Sequence, residues 1–383
     1  MLMYGESTAM KVLMQARVNL FTAPGGDTVQ ILKTREHLEH LGISCDLSVA
    51  PVQDYGPYDI VHLFNYTRIQ ETYLFAREAK RAGKPVVLST VYWDNEETER
   101  KADLGWRKKL TGRLSMDQIE RLKGLWRLVG ERQWNKANLN LVRKGFLGLQ
   151  KEAIGYIDHF LPNSEGEMSL FQSKFGQQKV LPYTVVPNGI DPDLLFDGSP
   201  NSDIEFENCV LCVGRIDGRK NQVNLAKALK ESPFPLVFVG QPAPNHSSYM
   251  KKLRGEAGPR CQFLGQLPNR EVYRLYRSAK VHCLPSWYET PGLASLEAAA
   301  AGCNIVVTDR GSTREYFGEY AYYCEPDSVE SIRDAVFRAY NAPKSEDLKR
   351  HIVKNFTWAK AAEKTVEAYE RVIANSAAHG RGK

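Results

Sequence analysis

Two spacings of apolar residues alternate along this chain. Short runs rich in Val, Ile and Leu are followed by longer stretches with helical periodicity, and that alternation predicts parallel sheets covered by helices. Lys11 to Asn19 reads as a first strand, Thr28 to Leu41 as an amphipathic helix closed by Gly42, and Ile43 to Val49, Asp59 to Phe64 and Pro85 to Val91 as further strands. A helix is predicted over Glu71 to Ala82. After Trp93-Asp94-Asn95 the pattern gives way to a polar, basic, helical insert that runs to about Gly155, and Ile157 to Leu161 resumes the sheet. The turn-rich Val185 to Pro192, followed by the polar Asp197 to Glu207, reads as a domain boundary. A second alternating set follows: Cys209 to Val213, a helix over Asn221 to Lys230, Leu236 to Val239, Cys261 to Leu264, Val281 to Leu284, and Asn304 to Val307.

The expected architecture is therefore α/β, with two doubly wound, Rossmann-like domains facing across a cleft. The first is expected over residues 1–190, with the insert at about 95–155, and the second over 191–355. Residues 356–383 read as a C-terminal helix packing back on the first domain, with a disordered tail. In such sheets ligands bind outside the carboxyl ends of the strands.

The segment Trp287-Tyr288-Glu289-Thr290-Pro291-Gly292-Leu293-Ala294-Ser295-Leu296-Glu297 carries the strongest hint of function. Leu and Ala dominate from Leu293 to Ala301 and favour a helix, and Pro291-Gly292 marks its start. Glu289 then precedes a helix N-terminus and Glu297 lies in the second turn, so backbone N–H groups and two carboxylates converge on one ligand with phosphate and hydroxyl groups. An ordinary surface helix with a solvated Glu has the same pattern, so this segment alone does not decide.

Composition narrows the classes. A length of 383 residues exceeds what one core usually supports, and 43% hydrophobic with 25% charged residues is ordinary for a globular protein. No apolar stretch reaches the length of a membrane span, and the first residues lack the basic-then-apolar order of a signal peptide, so a cytoplasmic location is expected. Seven scattered cysteines fit a reducing compartment. Cys209 and Cys212 form a C-x2-C inside a predicted strand, where residues three apart face opposite sides, so no metal site is expected there.

The net charge of +6 is unevenly spread. Between Arg100 and Lys151 stand fourteen Lys/Arg against four Asp/Glu, together with Trp106, Trp126 and Trp134. Within this stretch Leu122, Leu125, Trp126 and Val129 recur at i, i+3, i+4, i+7, an apolar face with cationic flanks. Such a helix either lies on an anionic membrane surface or packs its apolar face on the first domain. No nucleic-acid fold accompanies the patch, and nucleic acid is not an expected partner.

Two further loops follow strands. Phe21-Thr22-Ala23-Pro24-Gly25-Gly26-Asp27 lets the backbone approach a phosphate at the first helix, or is a tight turn without ligand. In Val213-Gly214-Arg215-Ile216-Asp217-Gly218-Arg219-Lys220, Arg215 and Lys220 either reach a diphosphate or are solvated surface cations.

In order and spacing, Gly25-Gly26, Arg215-x4-Lys220, Val185-Val186-Pro187-Asn188-Gly189-Ile190-Asp191, Phe263-Leu264-Gly265 and Glu289-x7-Glu297 resemble retaining glycosyltransferase family 4, over about residues 11 to 375. The resemblance implies the GT-B fold and a nucleotide-diphosphate sugar as donor, with UDP or GDP as the nucleotide and no cofactor or metal. It implies a glycan or lipid-linked acceptor, and work at the inner face of the membrane on polysaccharide, lipopolysaccharide or glycolipid. By position, Arg215 and Lys220 would hold the diphosphate, Glu297 the ribose, and Glu289, Pro291, Gly292 and Leu293 the transferred sugar. Gly25 and Gly26 would complete the phosphate site, and Gly240, Leu264 to Leu267 and Glu315 would line the base and ribose pocket. Arg215, Lys220 and Glu289 are the catalytic candidates. The family often carries a His after a strand such as Pro85 to Val91, where this chain has Tyr92-Trp93-Asp94, the acceptor-side candidates; His62 is open between a site role and a packed core histidine. A nucleotide-sugar epimerase of similar architecture and a non-enzymatic basic protein binding lipid or nucleic acid are the alternatives.

Overall fold

The computed structural model describes residues 10–52, 54–93, 114–130, 132, 135–176, 180–195, 206–243 and 247–380. Asp94, Trp106, Trp134, Arg107 to Lys109 and the two chain ends lie outside the described residues. The chain divides into two compact units, one built from 1–93, 113–187 and 358–383, the other from 94–112 and 188–357.

In the first unit, β1 (Lys11–Gln15), β2 (Ser44–Ser48), β3 (Ile60–Phe64), β4 (Val86–Ser89) and β5 (His159–Phe160) form a parallel sheet in the order β2-β1-β3-β4-β5. The helices are α1 (Gly26–His40), α2 (Ile69–Arg81), α3 (Met116–Val129), α4 (Lys136–Lys144), α5 (Phe146–Ala153) and α6 (Glu165–Phe175). Near-continuous apolar strands such as Ile60–Phe64 are buried along their whole length, as parallel strands covered on both faces must be. Leu13, Val61, Leu63, Val86 and Leu88 pack with Phe160, Phe171 and Phe175 in the core of this unit.

Two predicted strands are shorter than their apolar runs, for a local reason in each case. β1 was expected to reach Asn19 but ends at Gln15, because the buried Arg17 gathers the following loop around its guanidinium: it donates to Asp27, Asn19, Thr28 and the Ala23 carbonyl. β4 was expected to reach Val91 but ends at Ser89. Beyond it, the buried Glu167 carboxylate takes the Thr90 hydroxyl and the Tyr92 N–H (2.7 Å), and Val91 turns to φ +43°.

The C-terminal helix α14 (Trp358–Gly380) belongs to the first unit, where it packs on α1. Tyr369 on this helix is hydrogen-bonded to His62 Nδ1 at 2.6 Å, and Ser89 Oγ lies 2.9 Å from its Nε2. His62 is thus a satisfied core residue whose burial holds it neutral, with its pKa pushed down to about 3.

The second unit holds β6 (Val210–Val213), β7 (Leu236–Val239), β8 (Cys261–Gly265), β9 (Val281–Leu284), β10 (Asn304–Thr308) and β11 (Tyr322–Cys324), all parallel, in the order β11-β10-β9-β6-β7-β8. Its helices of five or more residues are α7 (Gln222–Ala228), α8 (Ser247–Glu256), α9 (Asn269–Ser278), α10 (Leu293–Ala300), α11 (Thr313–Phe317), α12 (Val329–Asn341) and α13 (Glu346–Asn355). The period of two sends Cys209, Leu211, Val237 and Val307 into one core and Val210, Cys212, Phe238 and Val306 into the other. Cys209 and Cys212 therefore sit on opposite faces of the sheet, and burial pushes both thiols up to about 12.

Candidate functional site

Strand order directs attention to one place in the second unit. Counted from β6, the sheet has the order 6-5-4-1-2-3, so the connections after β6 and after β9 leave in opposite directions and open a crevice at their carboxyl ends. The β6 loop carries Arg215 to Lys220, and the β9 loop carries Ser286 to Gly292. The two loops are tied together: Trp287 N–H donates to the Arg219 carbonyl (2.9 Å), and Asn221 Nδ2 donates to the carbonyls of Pro285 (3.0 Å) and Pro326 (2.6 Å).

At the centre stands an ion pair. Lys220 Nζ donates to Glu289 Oε2 at 2.6 Å, Ser286 Oγ donates to the same oxygen at 2.9 Å, and Glu289 is only 5% exposed. Burial acts to raise the Glu289 pKa, but the charges of Lys220 and Arg219 and the hydrogen bonds from Lys220 and Ser286 overcome it, so the carboxyl lies below its usual range. Asp217 underlies the β6 loop: it caps the turn by accepting the Lys220 N–H (3.1 Å) and receives Arg215 Nε at 2.9 Å. Burial acts to raise its pKa too, and Arg219, Arg215 and Lys220 hold it down. Arg215 itself stays about half exposed beside the crevice.

Gly292 is the N-cap of α10 with φ +72°, and a Cβ there would come within 2.9 Å of Glu289 Cγ. Only glycine gives the helix this entry with Glu289 beneath it. The first turn of α10 begins at Leu293, where helix geometry leaves the leading N–H groups without intrahelical partners. Glu297, one turn further, is half-buried and accepts the Tyr276 hydroxyl at 3.3 Å. Gly240 follows β7 with φ +139°, and a Cβ there would lie 2.0 Å from the Gly214 carbonyl oxygen, so only glycine fits beside the end of β6. Leu264 and Leu267 pack half-buried on the neighbouring core, and Glu315 is exposed on α11.

The structure thus brings Arg215, Lys220, Glu289, Pro291, Gly292 and Leu293 to the two loops of one crevice, with Glu297 in the helix that follows. Gly25 and Gly26 belong to the first unit, where Gly25 N–H donates to Thr28 Oγ1 (3.0 Å) and α1 begins at Gly26. Tyr92, expected on the acceptor side, is buried: its ring packs among Tyr66, Phe171 and Phe175, and its N–H donates to Glu167. Trp93 is half-buried, and Asp94 lies outside the described residues. Sequence reasoning missed Asp217, Arg219 and Ser286, although each lies within three residues of a candidate. It also missed His282 of β9, fully buried beside Ser295 Oγ (3.4 Å) and held neutral by burial and the Lys220 charge, with a pKa of about 3.

This is the GT-B fold. Sucrose-phosphate synthase from Thermosynechococcus elongatus superposes with a TM-score of 0.67 at 16% identity, over 96% of this chain and 100% of that one. A solved structure of Anabaena HepE with UDP and glucose gives 0.65 at 14% identity, over 94% and 99%. Residues 200–358, which form most of the second unit, match the family model described as glycosyl transferases group 1. In sequence, the chain is 28% identical over 264 residues to the MMP α-(1→4)-mannosyltransferase of Mycolicibacterium hassiacum, a match covering 64% of this chain and 62% of that protein. It is 30% identical over 212 residues to an uncharacterized glycosyltransferase of Methanocaldococcus jannaschii, covering 49% and 53%. The matched segments span between half and two thirds of those relatives.

Proposed function

We propose that this protein is a retaining glycosyltransferase that moves a sugar from a nucleotide-diphosphate donor to a glycan or lipid-linked acceptor. The observation that carries the reading is the buried Lys220–Glu289 pair at the β6/β9 crevice, beside Arg215 and the start of α10. In glycosyl transfer the bond from the anomeric carbon to the diphosphate oxygen breaks with its electron pair on the phosphate, while the acceptor oxygen bonds to that carbon from the same face and passes its proton to the departing phosphate oxygen. Charge develops on the leaving phosphate, where Lys220, Arg215 and the α10 N-terminus supply fixed positive charge without a metal ion. Glu289 is ionised at neutral pH because its pKa is depressed, so it does not serve as the proton donor that a hydrolase pair needs. It orients Lys220 and accepts hydroxyls of the transferred sugar, and Glu297 accepts those of the ribose.

A panel of UDP-, GDP- and ADP-sugars read by thermal shift tests the donor assignment. A ligand at one hundred times its Kd stabilises the folded state by about 2.7 kcal/mol. One nucleotide series is expected to raise Tm, and Glu297→Ala to reduce that rise while leaving the unliganded Tm within a few degrees. Absence of any shift across the panel would sink the donor reading, and nucleoside diphosphate release that needs no acceptor would favour an epimerase or hydrolase.

We also propose that α3 seats the protein on an anionic membrane. Leu122, Leu125, Trp126 and Val129 are 53%, 47%, 67% and 65% exposed, so the apolar face predicted from sequence is turned outward rather than packed on the unit. The opposite face is the packed one, with Gly124 against Leu141 of α4 and Leu128 buried. Among the described residues no helix is long and apolar enough to cross a membrane, so this contact is with the surface. Leu125→Ser with Trp126→Ser is expected to lower co-sedimentation with phosphatidylglycerol vesicles at least fivefold; equal binding to neutral and anionic vesicles, or no change in the variant, would refute it.

A further inference from the structure

β6 and β9 are neighbours in the sheet, yet their residues pair only as Val210 with Val281 and Leu211 with His282. The ladder stops there, short of the carboxyl ends of both strands. Strand alternation sends the N–H groups of Val210 and Gly214 to the β7 side, onto the carbonyls of Pro235 (2.8 Å) and Val239 (2.9 Å). The N–H of Val213 therefore points toward β9, beyond the last paired residues. Its acceptor is a side chain: it donates to His282 Nε2 at 3.4 Å.

A strand N–H that has left its ladder costs free energy unless something accepts it, and acceptance by the ring fixes the ring. Nε2 must carry no proton, so the neutral imidazole holds its proton on Nδ1. Nδ1–H then donates to Ser295 Oγ, 3.4 Å away, in the first turn of α10. One imidazole thus joins the last residue of β6 to the start of the helix that follows β9. From α9, the Tyr276 ring meets His282 at 77° with centroids 5.8 Å apart, and the Tyr276 hydroxyl donates to Glu297. Burial and the Lys220 charge keep the imidazole neutral against the pull of Glu289.

The geometry points to His282 as a positioning residue for the donor: it holds the loop carrying Arg215 and Lys220 in register with the N-terminus of α10. The role in donor binding rests on the glycosyltransferase reading; the link between β6 and α10 does not. A diphosphate has to meet the cations of the β6 loop and the leading N–H groups of α10 together, so these two elements need a common frame. Misplacing positioned groups by about 1 Å costs up to about 10²-fold. His62 shows the other use of a buried histidine: its partners are the side chains of Tyr369 and Ser89, and it fastens a helix to a sheet.

Long-range proton–nitrogen NMR of the unaltered protein at pH 7 reads the link. His282 is expected as the Nδ1–H tautomer, and Ser295→Ala to shift its Nδ1 signal; an Nε2–H tautomer or an imidazolium would overturn the link. Titration with UDP, GDP and ADP reads the role, on the unaltered protein, His282→Phe, His282→Gln and Ser295→Ala, at a temperature where urea unfolding shows each to be folded. His282→Phe keeps a ring and removes both bonds, and should weaken the nucleoside diphosphate that binds by about tenfold or more. His282→Gln keeps an amide oxygen for the Val213 N–H and should recover part of that loss. Lower stability with unchanged affinity in folded His282→Phe would make the residue a core histidine and overturn the proposal. If His282→Phe does not fold, Ser295→Ala decides: a loss of about threefold or more is expected from breaking one end of the link, and unchanged affinity overturns the role. Failure of all three nucleotides to bind the unaltered protein would sink the donor reading and the positioning role with it, whereas tight binding that ignores these variants sinks this inference alone.

Discussion

Lys220→Ala is expected to lower turnover of the nucleotide sugar by about 10²–10³, the usual loss when one preorganised donor to a developing oxyanion is removed. It is also expected to destabilise the second unit by about 3–5 kcal/mol, because Glu289 is left buried and ionised with no cation against it. The two effects separate in the double variant. Lys220→Ala with Glu289→Gln removes the uncompensated charge and should recover much of the stability while recovering none of the activity. If stability and turnover return together, Lys220 acts only as a structural partner of Glu289; if neither falls in the single variant, the pair has no role. Urea unfolding and a nucleoside diphosphate release assay on the same preparations measure both.

The second large effect is acid lability that begins well above the carboxylate range. His62 in the first unit and His282 in the second are both fully buried with pKa values of about 3, far below the 6.5 of the unfolded chain. Between those values the unfolded state binds a proton that the folded state refuses, so stability is complete above about pH 6.5 and falls as pH drops toward 3. Each histidine therefore withdraws stability as pH falls through that window. Asp27, Asp217 and Glu289 add a second loss lower down, since their depressed pKa values contribute stability that is present above the unfolded carboxylate values and vanishes as pH falls through the folded ones. Urea midpoints should therefore decline between pH 7 and pH 5 before any carboxylate titrates, and a flat profile over that interval would show that the two imidazoles are accessible to protons.

Much of the fold was legible because parallel strands buried on both faces read as uninterrupted apolar runs. Leu236–Val239 and Val281–Leu284 appear in the structure with the limits predicted from sequence. Errors came where a long-range polar group ended a strand that its own residues would have continued. Nothing in Lys11 to Asn19 announces that Arg17 will fold the chain back on itself, and nothing in Pro85 to Val91 announces Glu167, which lies in a helix 75 residues beyond Tyr92. The same limit explains Tyr92, which is polar and suitably placed after a strand yet is turned inward by that carboxylate.

At the site, spacing along the chain placed Glu289 before a helix and Glu297 within it, because the Pro-Gly start and the Leu/Ala run are local signals. Contact between Lys220 and Glu289, 69 residues apart, is a product of strand order and was out of reach. So was the orientation of α3. Periodicity did identify the apolar stripe of that helix, but whether it faced the unit or the outside depended on the opposite face, where Gly124 admits the side chain of Leu141.

The most direct test of the donor site uses Arg215, which is about half exposed and whose loss leaves the buried pair untouched. Isothermal titration with the nucleoside diphosphate selected by the thermal-shift panel should show Arg215→Gln binding at least tenfold more weakly than the unaltered protein, as expected for a lost charge-assisted hydrogen bond to phosphate. Equal affinity in the two proteins would contradict a diphosphate held at the β6/β9 crevice.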